Sequence, residues 1–281
     1  MNDNNEVKSF TLIEVLVVII IIGILASLIL FSTQDAYEKK DRLEILNLTE
    51  SLKAKNLNSL ISEWIFDGPT LAGSSATNSD VKDSWGYNHG DVVGHAPTVK
   101  DGEDCVLGKC LEFDGSTDYV NCGNLGNPGY GTISLWVSKK DALSRYLLDG
   151  RGTGNWWFLS HYNGYDVNFN NLAMWNGLQL NKWTFITVTV SPTVTKLYID
   201  GDFKDDGGGL SINFSSVRIA TRYTNSSYFL GFLDDIRIYN SAISVSEIKQ
   251  NYVAGLNSLL QNGAISKEEY NQRTLNLAKN D

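Results

Sequence analysis

The chain has 281 residues, 42% of them apolar, and a formal net charge of −9. That length allows one long helix plus one sizeable core, and the acidity excludes a nucleic-acid groove, which needs a concentrated basic face. Thirteen Tyr, seven Trp and 25 Gly against only four Pro favour an antiparallel sheet protein with many tight turns over a disordered chain.

From Val15 to Gln34 no side chain is charged, and between Val15 and Leu30 only Gly23 and Ser27 interrupt a run of Val, Ile, Leu and Ala. About 20 such residues cross the hydrocarbon of a bilayer. Glu14 stands at the head of this run. An ionised carboxylate at the edge of hydrocarbon is costly unless a cation meets it, so Glu14 predicts a cationic partner. The first Pro is Pro69, and Gly23 is the only Gly before Gly68. Nothing therefore breaks a helix from Phe10 to about Ser62, a rod of roughly 80 Å. In its outer half Leu43, Leu46, Leu48, Leu52, Leu57, Leu60 and Ile61 recur among polar residues, as on an amphipathic helix that docks a head along one stripe. A solvated stalk is the other reading.

Phe10-Thr11-Leu12-Ile13-Glu14-Val15 resembles the N-terminus of type IV prepilins and pseudopilins. The resemblance implies a leader at residues 1–9, cleavage between Ser9 and Phe10 by a prepilin peptidase, methylation of the new amine, and a membrane span over about residues 10–31. It also implies partners: other pilin subunits, the peptidase and the assembly machinery. The amine of one subunit would meet Glu14 of its neighbour, a charge-assisted pair that sets axial register as apolar helices pack into a filament. Localisation would be the cytoplasmic membrane first and the cell surface afterwards. Ser9 stands where the family usually has Gly, and the leader carries Asp3 and Glu6 against Lys8 and the start amine. A secretory signal is the rival reading, in which Glu14 has no purpose.

From Trp64 short alternating runs follow one another between Gly, Asn and Asp. Leu111 to Gly115 and Asp118 to Asn121 flank a tight turn; Thr132 to Val137, Trp183 to Val190, Lys196 to Asp202 and Leu233 to Tyr239 each alternate apolar and polar residues. Such strands bury one face each, and the Asp200-Gly201 pair signals a hairpin. The expected class is α+β: an N-terminal transmembrane helix (10–62), an all-β antiparallel jelly-roll sandwich (63–242) and a C-terminal helical hairpin (243–281). The segments Trp64 to Asp67, Asp83 to Gly90, Leu111 to Val120, Trp183 to Val188, Leu197 to Gly201 and Gly231 to Tyr239 resemble, in order, a LamG-like jelly roll of the concanavalin A-like lectin/glucanase superfamily. That fold hosts lectins, enzymes and spacers alike. No Glu-x-Asp-x-x-Glu run occurs, His89, His95 and His161 lack metal-ligand spacing, and the chain is expected not to be an enzyme.

Two inheritances of the LamG resemblance remain. A structural calcium ion would use Asp67, Asp83 and Asp234 with loop carbonyls near Asn88; alternatively Asp83 caps a turn and Asp234 pairs with Arg237. Glycan binding would use Trp156, Trp157, Tyr162, Tyr165 and Trp175, which instead could pack between the sheets. Of the three cysteines, strand parity points Cys122 inward with Val120 and Cys110 away from the side taken by Leu111 and Phe113. Parity thus favours a Cys105–Cys110 disulfide and a free Cys122. After Ser241 the pattern is helical: Ser244 to Glu247 reads as a capping box, followed by Ile248, Tyr252, Leu256, Leu259 and Leu260, and Ser266 to Glu269 as a second cap. The hairpin packs either on the head or on a neighbouring subunit. Glu14→Val is expected to abolish or slow filament assembly while membrane insertion persists, because the span becomes more apolar as the pairing is lost; shearing yield and membrane fractionation measure the two, and a normal yield would sink the pairing.

Overall fold

The computed structural model describes residues 59–151, 157–162, 166–170, 172–176 and 178–279. Ser9, Phe10, Glu14 and the expected span at residues 10–31 lie outside them. Among the described residues no helix is long and apolar enough to cross a membrane.

The alternating runs form two antiparallel sheets packed face to face. One sheet is ordered β13 (Asp202–Gly208), β12 (Val194–Ile199), β11 (Thr184–Val190), β6 (Gly131–Lys139), β15 (Leu230–Tyr239), β4 (Lys109–Asp114), β3 (Thr98–Asp101), with β1 (Leu60–Trp64) also on β15. The other is ordered β10 (Leu172–Asn176), β9 (Asp166–Phe169), β8 (Phe158–Tyr162), β7 (Arg145–Asp149), β14 (Val217–Ile219), β5 (Tyr119–Gly123), β2 (Asp91–Val93). Leu111, Phe113, Ile133, Leu135 and Val137 of the first meet Val120, Leu148, Leu159, Phe169 and Ile219 of the second in one buried core. Period-two alternation accounts for this, since each strand turns one side chain in two toward the facing sheet.

Local signals explain the connections. Asp200 and Gly201 both have positive φ, 53° and 81°, as a primed two-residue turn between β12 and β13 requires. The tight turn after Asp114 is a corner: β4 lies in one sheet and β5 in the other, and the Asp118 carboxylate braces it by accepting the Asp114 N–H at 3.0 Å.

Strand β15 is the spine. Its first half pairs with β4 (Leu233 opposite Leu111) and its second with β1 (Arg237 opposite Glu63), while β6 runs along the other edge. The switch falls at an irregularity between Asp234 and Arg237, where Asp235 has φ 47°. A bulge of this kind bends a strand and releases one neighbour for another. It also changes the expected Asp234–Arg237 pairing: Asp235 and Glu63 hold Arg237, at 2.9 and 2.8 Å.

The stretch expected as helix up to Ser62 is strand over its last described residues. Leu60, Ile61 and Ser62 belong to β1, and the Asn240 N–H donates to the Ser59 carbonyl at 2.7 Å. Leu57, Leu60 and Ile61 satisfy a helical stripe, but Leu60 to Trp64 is also short enough to be a strand, and the open backbone of β15 decides it.

The hairpin packs on its own head. Helix α1 (Val245–Gln261) starts in the capping box of Ser244 and Glu247, and α2 (Lys267–Lys279) follows Ser266, whose hydroxyl accepts the Glu269 N–H at 3.1 Å. Ile248, Tyr252, Leu256 and Leu259 cover Trp136, Phe185, Tyr198 and Tyr239 on the outer side of the eight-stranded sheet. Trp136 stacks on Tyr252 at 5.7 Å and leans on Phe185 at 5.2 Å. Gly255 permits this approach, because a Cβ there would lie 2.5 Å from the Trp136 ring. Gly255→Val is therefore expected to destabilise the head by about 2–3 kcal/mol through overpacking, whereas Gln261→Ala at the exposed helix end should change the unfolding free energy from urea titration by less than about 0.5 kcal/mol.

Candidate functional site

The hairpin covers one outer sheet face; among the described residues, the outward side chains Tyr146, Phe158 and Arg218 of the seven-stranded sheet belong to neither buried cluster. Register aligns them in rows. Phe158, Asp149, Arg218, Asn121 and Asp91 sit opposite one another across β8, β7, β14, β5 and β2. Tyr146, Ser160 and Asn168 form a parallel row.

At the centre lies an ion pair wrapped in rings. Asp149, itself buried, accepts Arg151 Nη2 at 2.5 Å and Nε at 3.1 Å, and also the Tyr223 N–H at 3.0 Å. Arg151 lies over Phe158 at 4.3 Å, Tyr223 at 4.8 Å and Tyr146 at 4.9 Å. Although burial opposes it, the Asp149 carboxylate holds the Arg151 guanidinium charged. Such pairs rigidify aromatic faces at low entropic cost. Arg222 lies 5.6 Å from the Tyr223 ring and 5.8 Å from that of Tyr146, and Arg218 is 5.9 Å from Tyr119. Flat rings flanked by guanidinium and amide groups suit a ring-shaped polar ligand. A concavity of about 580 Å³ lies beside the hairpin, lined by Lys182, Trp183, Ser266, Glu269 and Arg273. Its arginine is already satisfied by Glu269 at 2.7 Å and the Trp183 carbonyl at 2.9 Å.

The expected glycan residues lie elsewhere. Trp157 is in the core, its Nε1 donating to the Asn213 carbonyl at 2.7 Å and its ring between Phe169 and Phe214. A Cβ on Gly150 would enter that ring. Trp157 is thus a packing residue. Trp156 and Tyr165 lie outside the described residues, as do the side chains of Tyr162 and Trp175, although β8 and β10 include their backbones. The face was legible in principle: Tyr146 and Phe158 hold the outward phase beside Leu147 and Leu159, and Arg218 divides Val217 from Ile219.

The three aspartates are not assembled around one point, and among the described residues no group of three or more His, Cys, Asp or Glu is arranged to hold a metal. Each is engaged by backbone donors. Asp83 accepts the N–H groups of Glu63, Trp85, Gly86 and Asn88 at 2.9–3.0 Å. Asp234 accepts those of Val106, Leu107 and Asp235 at 2.7–2.9 Å, and Asp67 accepts that of Lys109 at 2.7 Å. Calcium needs six or more oxygens converging on one centre, and this donor set does not fit it. Asp67 and Asp234 instead hold the loop closed by the Cys105–Cys110 disulfide, whose Cα atoms are 5.3 Å apart. Cys122 is a buried free thiol in the inter-sheet core. Cys110 points to the opposite side, which the hairpin buries.

Residues 4–30 match the prokaryotic N-terminal methylation motif, and residues 114–249 match the concanavalin A-like lectin/glucanases superfamily. The chain thus carries a methylation motif and a LamG-type domain. Domain 4 of AbnA, an extracellular arabinanase of Geobacillus stearothermophilus solved with arabinotriose, aligns at 20% identity and TM-score 0.52, over 68% of this chain and 98% of that one. The botulinum neurotoxin serotype D ligand-binding domain, solved with N-acetylneuraminic acid, aligns at 16% identity and TM-score 0.54, over 73% of this chain and 53% of its own. At those identities the likeness is one of fold, and this chain spans about half the length of the botulinum domain. None of the curated proteins compared with the chain matches it.

The His161 imidazole is a core group whose titration is shifted by burial. His161 is fully buried against the edge of Phe229, and among the described residues neither ring nitrogen has a hydrogen-bond partner. Burial first, then Lys139 and Arg145 against Asp141, push it down to about 4. The folded state thus binds this proton more weakly than the unfolded chain, so stability falls as pH drops from about 6.5 toward 4. Asp118, pushed up to about 7 by burial and by Asp114, slopes the other way, so the histidine is read as a difference at each pH. Relative to wild type, His161→Phe is expected to gain about 2 kcal/mol more at pH 5 than at pH 7.5; equal differences at the two pH values would refute a neutral buried imidazole.

Proposed function

We propose that this protein is a membrane-inserted prepilin, cleaved before Phe10, whose mature form assembles through its apolar helix into a type IV pilus or related filament and displays a saccharide-binding LamG-type head. The observation that carries the reading is the union, on one chain, of the methylation motif with its span-adjacent Glu14 and a lectin-type sandwich. Such a span would anchor the subunit before assembly, and the cationic mature amine would supply the partner that Glu14 needs. The head would then lie outside the cell, where the Cys105–Cys110 disulfide persists. Sugars in complexes of the arabinanase domain and the botulinum domain support saccharide binding as the role to test.

A second reading, a minor tip subunit acting as an adhesin, is favoured by the aromatic and arginine-rich open face. Copy number separates the two. Mass spectrometry of sheared filaments is expected to find this chain as a main component beginning at N-methylated Phe10. Scarcity there would move the assignment to the tip subunit, and assembled protein retaining Met1 would overturn the processing step.

A further inference from the structure

Four of the six described arginines have a carboxylate partner: Arg145 with Asp141, Arg151 with Asp149, Arg237 with Glu63 and Asp235, and Arg273 with Glu269. Arg218 and Arg222 have none among the described residues. Both lie on the open face of the seven-stranded sheet. Arg218 uses Nη1 on the Tyr223 carbonyl and, at 3.0 Å, on Asn225 Oδ1, which orients its fork and leaves its charge uncompensated. Among the described residues the Arg222 side chain donates no hydrogen bond, and its Nε is buried without a partner. In a chain of net charge −9, arginines without carboxylates are the exception, and here two of them flank the same cluster of rings. Tyr223, which is 42% exposed, lies between Arg151 and Arg222. Its backbone is tied to Asp149.

The Arg151–Asp149 pair is internally neutral although Asp149 stands next to Arg218 in register, so the surplus positive charge of the face belongs to Arg218 and Arg222; Asp91, at the far edge of the row on β2, is the other acidic residue in that row. A guanidinium fork fits carboxylate or sulfate oxygens with two parallel N–H donors. Exposed Tyr faces beside it supply an apolar plane. We propose that this face takes an anionic saccharide, with its acidic group on Arg218 and Arg222 and its ring against Tyr223. The proposal rests on the saccharide-binding reading above and names the ligand class for it.

The test uses the full chain in detergent micelles with five immobilised polymers: polygalacturonate (carboxylated), dextran sulfate (sulfated), neutral arabinan and dextran, and poly-glutamate. Wild type is expected to bind one of the two acidic polysaccharides roughly tenfold or more tighter than either neutral polymer, with affinity falling as salt rises. The preferred arm identifies carboxylate or sulfate. Arg222→Ala should lose roughly tenfold on the acidic polysaccharide, the contribution of one charge-assisted pair, and Arg222→Lys should fall between because an ammonium lacks the fork. Since the Arg222 side chain donates no hydrogen bond among the described residues, an unchanged melting temperature is expected for both. Tyr223→Ala, at an exposed position, should weaken binding without altering the melt. Equal binding of acidic and neutral polysaccharides, or an unaffected Arg222→Ala, overturns the anionic assignment and leaves saccharide binding standing. Poly-glutamate bound as tightly as the polysaccharides overturns the saccharide as occupant. Binding of no polysaccharide overturns both readings.

Discussion

The sandwich depends on a buried carboxylate at a bulge in its central strand. Asp234 lies where β15 exchanges β4 for β1, and it accepts three backbone N–H groups, two from the disulfide loop. Burial pushes its carboxyl up, opposed chiefly by the N–H groups of Leu107 and Val106. Removing the side chain would orphan those buried donors, which costs more than the net worth of the bonds themselves. Next to it, Asp235 in a left-handed conformation brings its carboxylate to Arg237, which also reaches Glu63 across the register of β1. One irregular dipeptide thus joins the first strand of the head, the disulfide loop and the last strand.

The same loop connects the sheet to the hairpin. Asn262, at the end of α1, donates to the Cys105 carbonyl at 2.7 Å, and Trp183 Nε1 donates to the Asp104 carbonyl at 3.2 Å. Cys105 and Cys110 lie in the second buried cluster with Trp136, Tyr252 and Leu256. The hairpin therefore belongs to the head as a third layer, and it leaves the head asymmetric. One outer face is apolar and covered. The other carries guanidinium groups held over tyrosine rings.

The sandwich is braced by its own bulge, disulfide and helices. Tyr146, Phe158 and Arg218 are held by strand register, so little ordering entropy would oppose the binding of a ligand there.

What the amino-acid sequence determined by itself is what depends on local pattern. Glu14 at the head of an uncharged run, alternation in β6 and β11, the Asp200-Gly201 turn, the Ser244 capping box and the Cys105–Cys110 pairing by parity were all legible, because each depends on neighbours within a few residues. Tertiary structure decided the rest. Leu60 to Trp64 reads equally as helix or strand until β15 offers an unpaired edge. Trp157 looks like a sugar platform until Gly150 admits its ring into the core. Asp67, Asp83 and Asp234 look like metal ligands until backbone N–H groups from distant loops claim their oxygens. The open face joins residues from Asp91 to Tyr223, brought together by sheet register, and spacing along the chain carries no trace of which arginine will lack a carboxylate.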